Sequence, residues 1–130
     1  MNQEEKQLVF NTVVTALLKQ GGPSSADDMC LYRGPKGVKC AIGHIMPDEL
    51  YRSDMEGKDI SNFIPFEAVC GTELIEVTRD DSHFLQRLQQ RLHDDLGEHD
   101  FVNKLKSAAR EFADIFRLNL PPCMLKQVGQ

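Results

Sequence analysis

The stretch from Cys30 to Gly57, CLYRGPKGVKCAIGHIMPDELYRSDMEG, interrupts a chain that otherwise reads as amphipathic helix. It holds both tyrosines, two of the four cysteines and two of the six prolines. Leu31-Tyr32-Arg33 and Val38-Lys39-Cys40-Ala41-Ile42 flank Gly34-Pro35-Lys36-Gly37, a connection rich in turn formers, and predict a β-hairpin. An isolated hairpin is marginal in water, so this one is expected to lie against the neighbouring helices. Gly43 breaks the second strand, and Pro47-Asp48-Glu49 reads as the first turn of a short helix that stops near Met55-Glu56-Gly57.

On the N-terminal side, Asn2 with Glu5 three residues on resembles a reciprocal capping box. Leu8, Val9, Val13, Ala16, Leu17 and Leu18 then recur at helical spacing, and Gly21-Gly22-Pro23 ends the helix. Between residues 58 and 80, Phe63, Ile64, Phe66 and Val69 look buried, with Pro65 and Gly71 as punctuation. Leu74-Ile75-Glu76-Val77 fits a short strand or a helical turn equally well. From Asp81 or Ser82 a capped helix presents Leu85, Leu88, Leu92 and Leu96 inward and closes at Gly97. Asp100 caps the next, striped by Phe101, Leu105, Ala108, Ala109, Phe112, Ile115 and Phe116. The short link makes them an antiparallel pair.

The expected fold is therefore α+β and mostly helical. An N-terminal helix, one β-hairpin, a short helix and a C-terminal antiparallel helix pair surround one core in residues 1–120, with 121–130 as a tail. A chain of 130 residues can bury a sufficient core without a metal or disulfide. No apolar run approaches the roughly 18 residues of a membrane span. The acidic, polar start MNQEEKQ does not resemble a secretory signal peptide, so the expected compartment is the cytoplasm and the cysteines are expected as thiols.

Net charge is −5, which argues against a general nucleic-acid binder. The charge is unevenly spread. Ten acids between Asp48 and Asp81 (Asp48, Glu49, Asp54, Glu56, Asp59, Glu67, Glu73, Glu76, Asp80, Asp81) face only Arg52, Lys58 and Arg79, while Arg33, Lys36 and Lys39 make the preceding segment positive. Such a segment is either a solvated acidic face or a surface that meets a basic partner.

The central stretch resembles a family of small bacteriophage and prophage proteins. The shared pattern is Cys-x-Tyr-Arg, a short glycine-containing turn, Cys-Ala-x-Gly, a Pro-Asp-Glu followed by tyrosine, and Met-Glu-Gly. It falls here on Cys30, Tyr32, Arg33, Cys40, Ala41, Gly43, Pro47, Asp48, Glu49, Tyr51, Met55, Glu56 and Gly57. Tyr51 follows Glu49 by two residues here, where the family pattern has three. The resemblance implies a mobile-element origin and assigns no activity.

Cys30, Cys40, His44 and Cys70 offer a Cys3His set for zinc, but without the Cys-x(2–4)-Cys knuckles typical of structural sites. His93-Asp94-Asp95 with Glu98-His99-Asp100 is a second dense group of ligand types, equally suited to a solvated helix–helix turn. A thiol nucleophile at Cys40 or Cys30 with His44 as base is conceivable, whereas no nucleophile elbow, phosphate-binding loop, zincin or dinucleotide motif occurs. Tyr32, Arg33, Asp48, Glu49, Tyr51, Asp54 and Glu56 form the remaining constellation. One reading is a buried network in which Arg33 pairs with Glu49 or Glu56; the other is a recognition surface of tyrosine and arginine anchors. The function expected is a non-enzymatic phage or prophage binding protein without a cofactor, an inhibitor of a host or rival protein with a basic surface, such as a defence or nucleic-acid-handling protein. It would contact neither nucleic acid nor membrane directly. The alternative is a small metal- or ligand-binding domain on Cys30, Cys40 and His44.

Overall fold

The computed structural model describes residues 1–26, 29–58, 66–71 and 73–125, and for residues 25, 26, 29, 30 and 66 the backbone alone. Helix α1, Gln3–Gln20, begins with the expected capping box: Glu5 N–H donates to Asn2 Oδ1 at 2.8 Å and Asn2 N–H donates to Glu5 Oε1 at 2.9 Å. It ends at Gly21, whose φ of +79° suits glycine and lets its N–H reach the Leu17 carbonyl. Its buried stripe is Val9, Phe10, Val13, Val14 and Leu17, while Leu8, Ala16 and Leu18 are half-buried. The stripe is rotated from the expected one because Phe10 stacks on Phe112 at 5.6 Å and draws its side of the helix inward.

After a two-residue antiparallel pair, β1 Ser25–Ala26 with β2 Met29–Cys30, no strand forms among the described residues up to Lys58. The backbone turns through four 3-10 segments, at Pro35–Gly37, Ile42–His44, Asp48–Leu50 and Ser53–Met55. The hairpin expected at 31–42 reduces to one bridge, Arg33 with Lys39, closed by Gly34 N–H to the Val38 carbonyl at 2.8 Å. Cys40, Ala41, Ile42 and Gly43 are all buried in succession, and a strand with one wet face must alternate. The chain therefore leaves the ladder and enters the core. The short helix expected after Pro47 is present as the last two 3-10 turns.

The hairpin of this fold is β3, Phe66–Cys70, with β4, Glu73–Val77. Ala68, Cys70, Ile75 and Val77 point inward, and Glu67, Val69, Leu74 and Glu76 point outward. Leu74-Ile75-Glu76-Val77 is thus a strand. Phe63, Ile64, Pro65 and Asp59 lie outside the described residues. Helix α2, Ser82–Gln89, runs on through a π-helical turn, Gln90–Asp94, in which Asp95 N–H reaches the Gln90 carbonyl at 2.9 Å. Leu85, Leu88, Leu92 and Leu96 face inward as expected, and the wider turn brings His93 into the core beside Leu92.

Helix α3, Phe101–Phe116, returns antiparallel to α2 and buries Phe101, Leu105, Ala109, Phe112 and Ala113. Phe84, Phe112 and Phe116 meet edge-on or tilted at 4.5 to 5.6 Å. Ile115, expected in the stripe, is 65% exposed. The chain remains packed beyond residue 120, because Pro121 and Met124 are buried and α4, Pro122–Leu125, places Cys123 Sγ 3.4 Å from Thr15 Oγ1. Among the described residues, no helix is long and apolar enough to cross a membrane.

Gly43 marks the tightest approach in the irregular half. A Cβ built there would stand 2.1 Å from the Tyr32 carbonyl oxygen, a backbone atom that cannot swing aside. Gly43→Ala is expected to cost roughly 2–4 kcal/mol, read as a lower urea midpoint at an unchanged m-value. An unchanged midpoint would mean that the loop yields freely at this point.

Candidate functional site

The segment from Leu31 to Lys58 has almost no ladder to satisfy its backbone, yet much of it is buried. Buried N–H and C=O groups need partners, and side chains supply them. The Glu56 carboxylate accepts the Tyr32 N–H at 2.8 Å and the Arg33 N–H at 3.1 Å, and the Tyr51 hydroxyl at 2.7 Å. The Tyr32 hydroxyl donates to the Lys58 carbonyl. The Arg33 guanidinium lies 4.8 Å over the Tyr51 ring, donates to the Met46 carbonyl at 3.1 Å and pairs with Asp48 at 2.6 Å. Burial, the Glu56 hydrogen bond and the Glu56 charge push the Tyr51 phenol above its ordinary value, against the opposing pull of Arg33.

This is the buried-network reading, with a different pairing. Arg33 meets Asp48 rather than Glu49 or Glu56, because Glu56 is already committed to the backbone beside Arg33. The Asp48 side chain is 83% exposed, so that ion pair contributes about 0–1 kcal/mol, less than Glu56 does. Asp48, Glu49 and Asp54 carry their charge at the surface, with Asp54 only 3.4 Å from Arg52. Tyr32, Arg33, Tyr51 and Glu56 are turned to one another. The seven residues divide into a clasp and an acidic rim.

Three further side chains do the same work; sequence reasoning overlooked Gln20 and Gln89 and read His93 as one of a dense group of ligand types. Gln20, at the end of α1, acts as a surrogate peptide for Lys39: its Oε1 accepts the Lys39 N–H and its Nε2 donates to the Lys39 carbonyl, both at 2.9 Å. Gln89 Oε1 accepts the Ile42 N–H at 2.9 Å. His93 Nε2 accepts the Ser24 N–H at 2.8 Å, which puts the ring hydrogen on Nδ1, 2.9 Å from Asp94 Oδ1. The only advance signal was a polar residue at a helix end or on an apolar face. His93 and Asp94 have the form of a catalytic pair, but the nitrogen that would act as base is occupied by the backbone. Asp95 is turned to Arg91 at 3.8 Å, and Glu98, His99 and Asp100 are exposed.

The proposed zinc ligands are used separately. Cys40 Sγ accepts the Gly43 N–H at 3.4 Å, and His44 Nε2 donates to Gln20 Oε1 at 3.0 Å. Cys70 is buried; burial raises its thiol pKa, with Thr12 opposing and Glu73 adding, the opposite of an activated nucleophile. The side chain of Cys30 lies outside the described residues. Among the described residues no group of three or more His, Cys, Asp or Glu converges as a metal site.

The exposed charge collects elsewhere. On the outer face of the β3–β4 hairpin, Glu67 stands directly opposite Glu76, and Val69 opposite Leu74, 40% and 61% exposed respectively. Val69 N–H bonds the Ile45 carbonyl at 3.3 Å, away from β4, so the Val69–Leu74 and Glu67–Glu76 pairs are the closer, non-hydrogen-bonded kind. Among the described residues, neither glutamate has an ion pair, and the facing charges are uncompensated. Glu73 and Asp80 are exposed too, whereas Asp81 is buried against the Met1 amino group at 2.8 Å. No protein-family model, curated protein or solved structure matches this chain.

Two outcomes follow from the clasp. Glu56→Ala leaves two inward N–H groups unpaired and is expected to cost roughly 2–4 kcal/mol, against about 1 kcal/mol for Tyr51→Phe, both read by urea denaturation. Equal costs would show that the phenol, not the backbone, is the carboxylate's main partner. His44 supplies a pH test. Burial, the Lys39 charge and the nearby His93 lower its pKa from 6.5 to about 4. The folded state then binds fewer protons than the unfolded chain, so this contribution is complete above pH 6.5 and is lost as pH falls toward 4. Discounted for partial exposure, it amounts to about 1–2 kcal/mol. Stability compared at the two ends of that window should fall further for the native chain than for His44→Gln.

Proposed function

We propose that this is a non-enzymatic binding protein whose acidic face occupies the basic surface of a partner protein. The observation that carries the reading is the outer face of the β3–β4 hairpin, where Glu67 opposes Glu76 beside the exposed Val69–Leu74 pair. Like charges directly opposite on a sheet are destabilising, and the Val69–Leu74 pair leaves apolar surface in water. A partner that sets a lysine or arginine between the carboxylates and an apolar side chain on Val69 and Leu74 would relieve both. Glu49, exposed and without an ion pair among the described residues, adds to the negative charge that would steer such a partner.

The resemblance of the central stretch to bacteriophage and prophage proteins supplies the setting. The partner is then a host or rival protein in the bacterial cytoplasm, of a defence or nucleic-acid-handling kind whose basic surface ordinarily meets nucleic acid, and occupying that surface inhibits it. Docking by charge and apolar contact requires no cofactor, and an acidic face disfavours direct contact with nucleic acid or an anionic membrane.

The test is affinity capture from bacterial lysate at low and high salt, with the native chain and with Glu67→Lys/Glu76→Lys. A stoichiometric partner released as salt rises, and not captured by the charge-reversed protein, is the expected result. Equal capture by both proteins, or retention at high salt, would overturn the reading.

A further inference from the structure

The apolar stripe of α3 is wider than its neighbours cover. Between α2 with its π turn on one side and α3 on the other runs a groove of about 490 Å³, within the roughly 300–1,000 Å³ common to small-molecule sites. Its apolar lining is Leu96, Ala108, Phe112, Ile115 and Phe116, which accounts for Ile115 being 65% exposed where the helical pattern predicts burial. One wall is basic. His83, Arg87 and Arg91 recur at every fourth residue, the spacing that places side chains in one row along a helix.

The charges of this wall are unequally engaged. Arg91 is turned to Asp95 at 3.8 Å. Arg87 is exposed and makes no ion pair among the described residues, and Glu111, on the α3 lip, makes none either. A guanidinium left open above aromatic and aliphatic side chains suits a molecule with an apolar body and one anionic end, because a charge-assisted bond to arginine is stronger than a neutral one.

We infer that this groove binds a small anionic amphiphile, its aromatic or alkyl body on Phe112, Phe116 and Ile115 and its carboxylate, sulfonate or phosphate end on Arg87. The site shares no residue with the β3–β4 face, so it stands or falls independently of the proposed partner.

Fluorescence titration with anilinonaphthalene sulfonate, and with N-phenylnaphthylamine as the same aromatic frame lacking the sulfonate, tests the inference. Saturable one-to-one binding of the sulfonate is expected, about tenfold tighter than the neutral probe, the equivalent of one charge-assisted contact. Arg87→Ala, an exposed position that leaves the core untouched, should erase that difference and leave the neutral probe unchanged. Glu111→Gln should tighten the sulfonate a few-fold by removing a nearby like charge. Equal affinity for the two probes, sulfonate binding indifferent to Arg87→Ala, or no saturable binding would overturn the inference.

Discussion

The irregular segment from Leu31 to Lys58 is closed by one carboxylate. Glu56 accepts two consecutive backbone N–H groups and a tyrosine hydroxyl, holding together parts of the chain 24 residues apart that no sheet joins. The requirement behind it is general: a buried peptide group must be paired, and a segment built from isolated 3-10 turns cannot pair its own. Glu56, Gln20, Gln89 and His93 act as replacements for the missing ladder, each delivering an acceptor to a backbone N–H. The compactness this allows is visible at Gly43, where only a hydrogen fits beneath the Tyr32 carbonyl.

The same arrangement engages several of the chemically suggestive residues among those described. A nucleophile or general base needs a free, poised atom, and here the candidates are engaged with structure. His93 accepts a backbone hydrogen, His44 donates to Gln20, and the Cys70 thiol is held protonated by burial. Tyr32, Arg33, Gly43, Tyr51 and Glu56 of the central stretch are engaged in packing and backbone satisfaction. Uncompensated features are displaced to the surface, onto the outer face of the hairpin and into the α2–α3 groove. Those are the two places where we propose binding, because Glu67, Glu76 and Arg87 make no ion pair among the described residues.

The amphipathic helices were legible from the sequence. The capping box at Asn2 and Glu5 and the Leu85-Leu88-Leu92-Leu96 stripe all appear where periodicity and end signals put them. Short apolar runs were less informative. Val38–Ile42 and Leu74–Val77 look alike as strands, yet only the second is one, since the first ends in three consecutive buried residues and the second alternates. The candidate constellation was legible as a group but not as a set of bonds: Arg33 pairs with Asp48, and Glu56 serves the backbone.

The sequence by itself determined the elements whose causes lie within a few residues: helix stripes, caps, the glycine stop at Gly21 and the mostly helical class. Tertiary structure alone decided which glutamines reach which peptide groups, where the hairpin forms, and that Glu67 faces Glu76. The glutamine contacts join groups 19 to 47 residues apart, Gln20 with Lys39 and Gln89 with Ile42. No local propensity records such a pairing, because its free energy exists only once the core has placed both partners side by side.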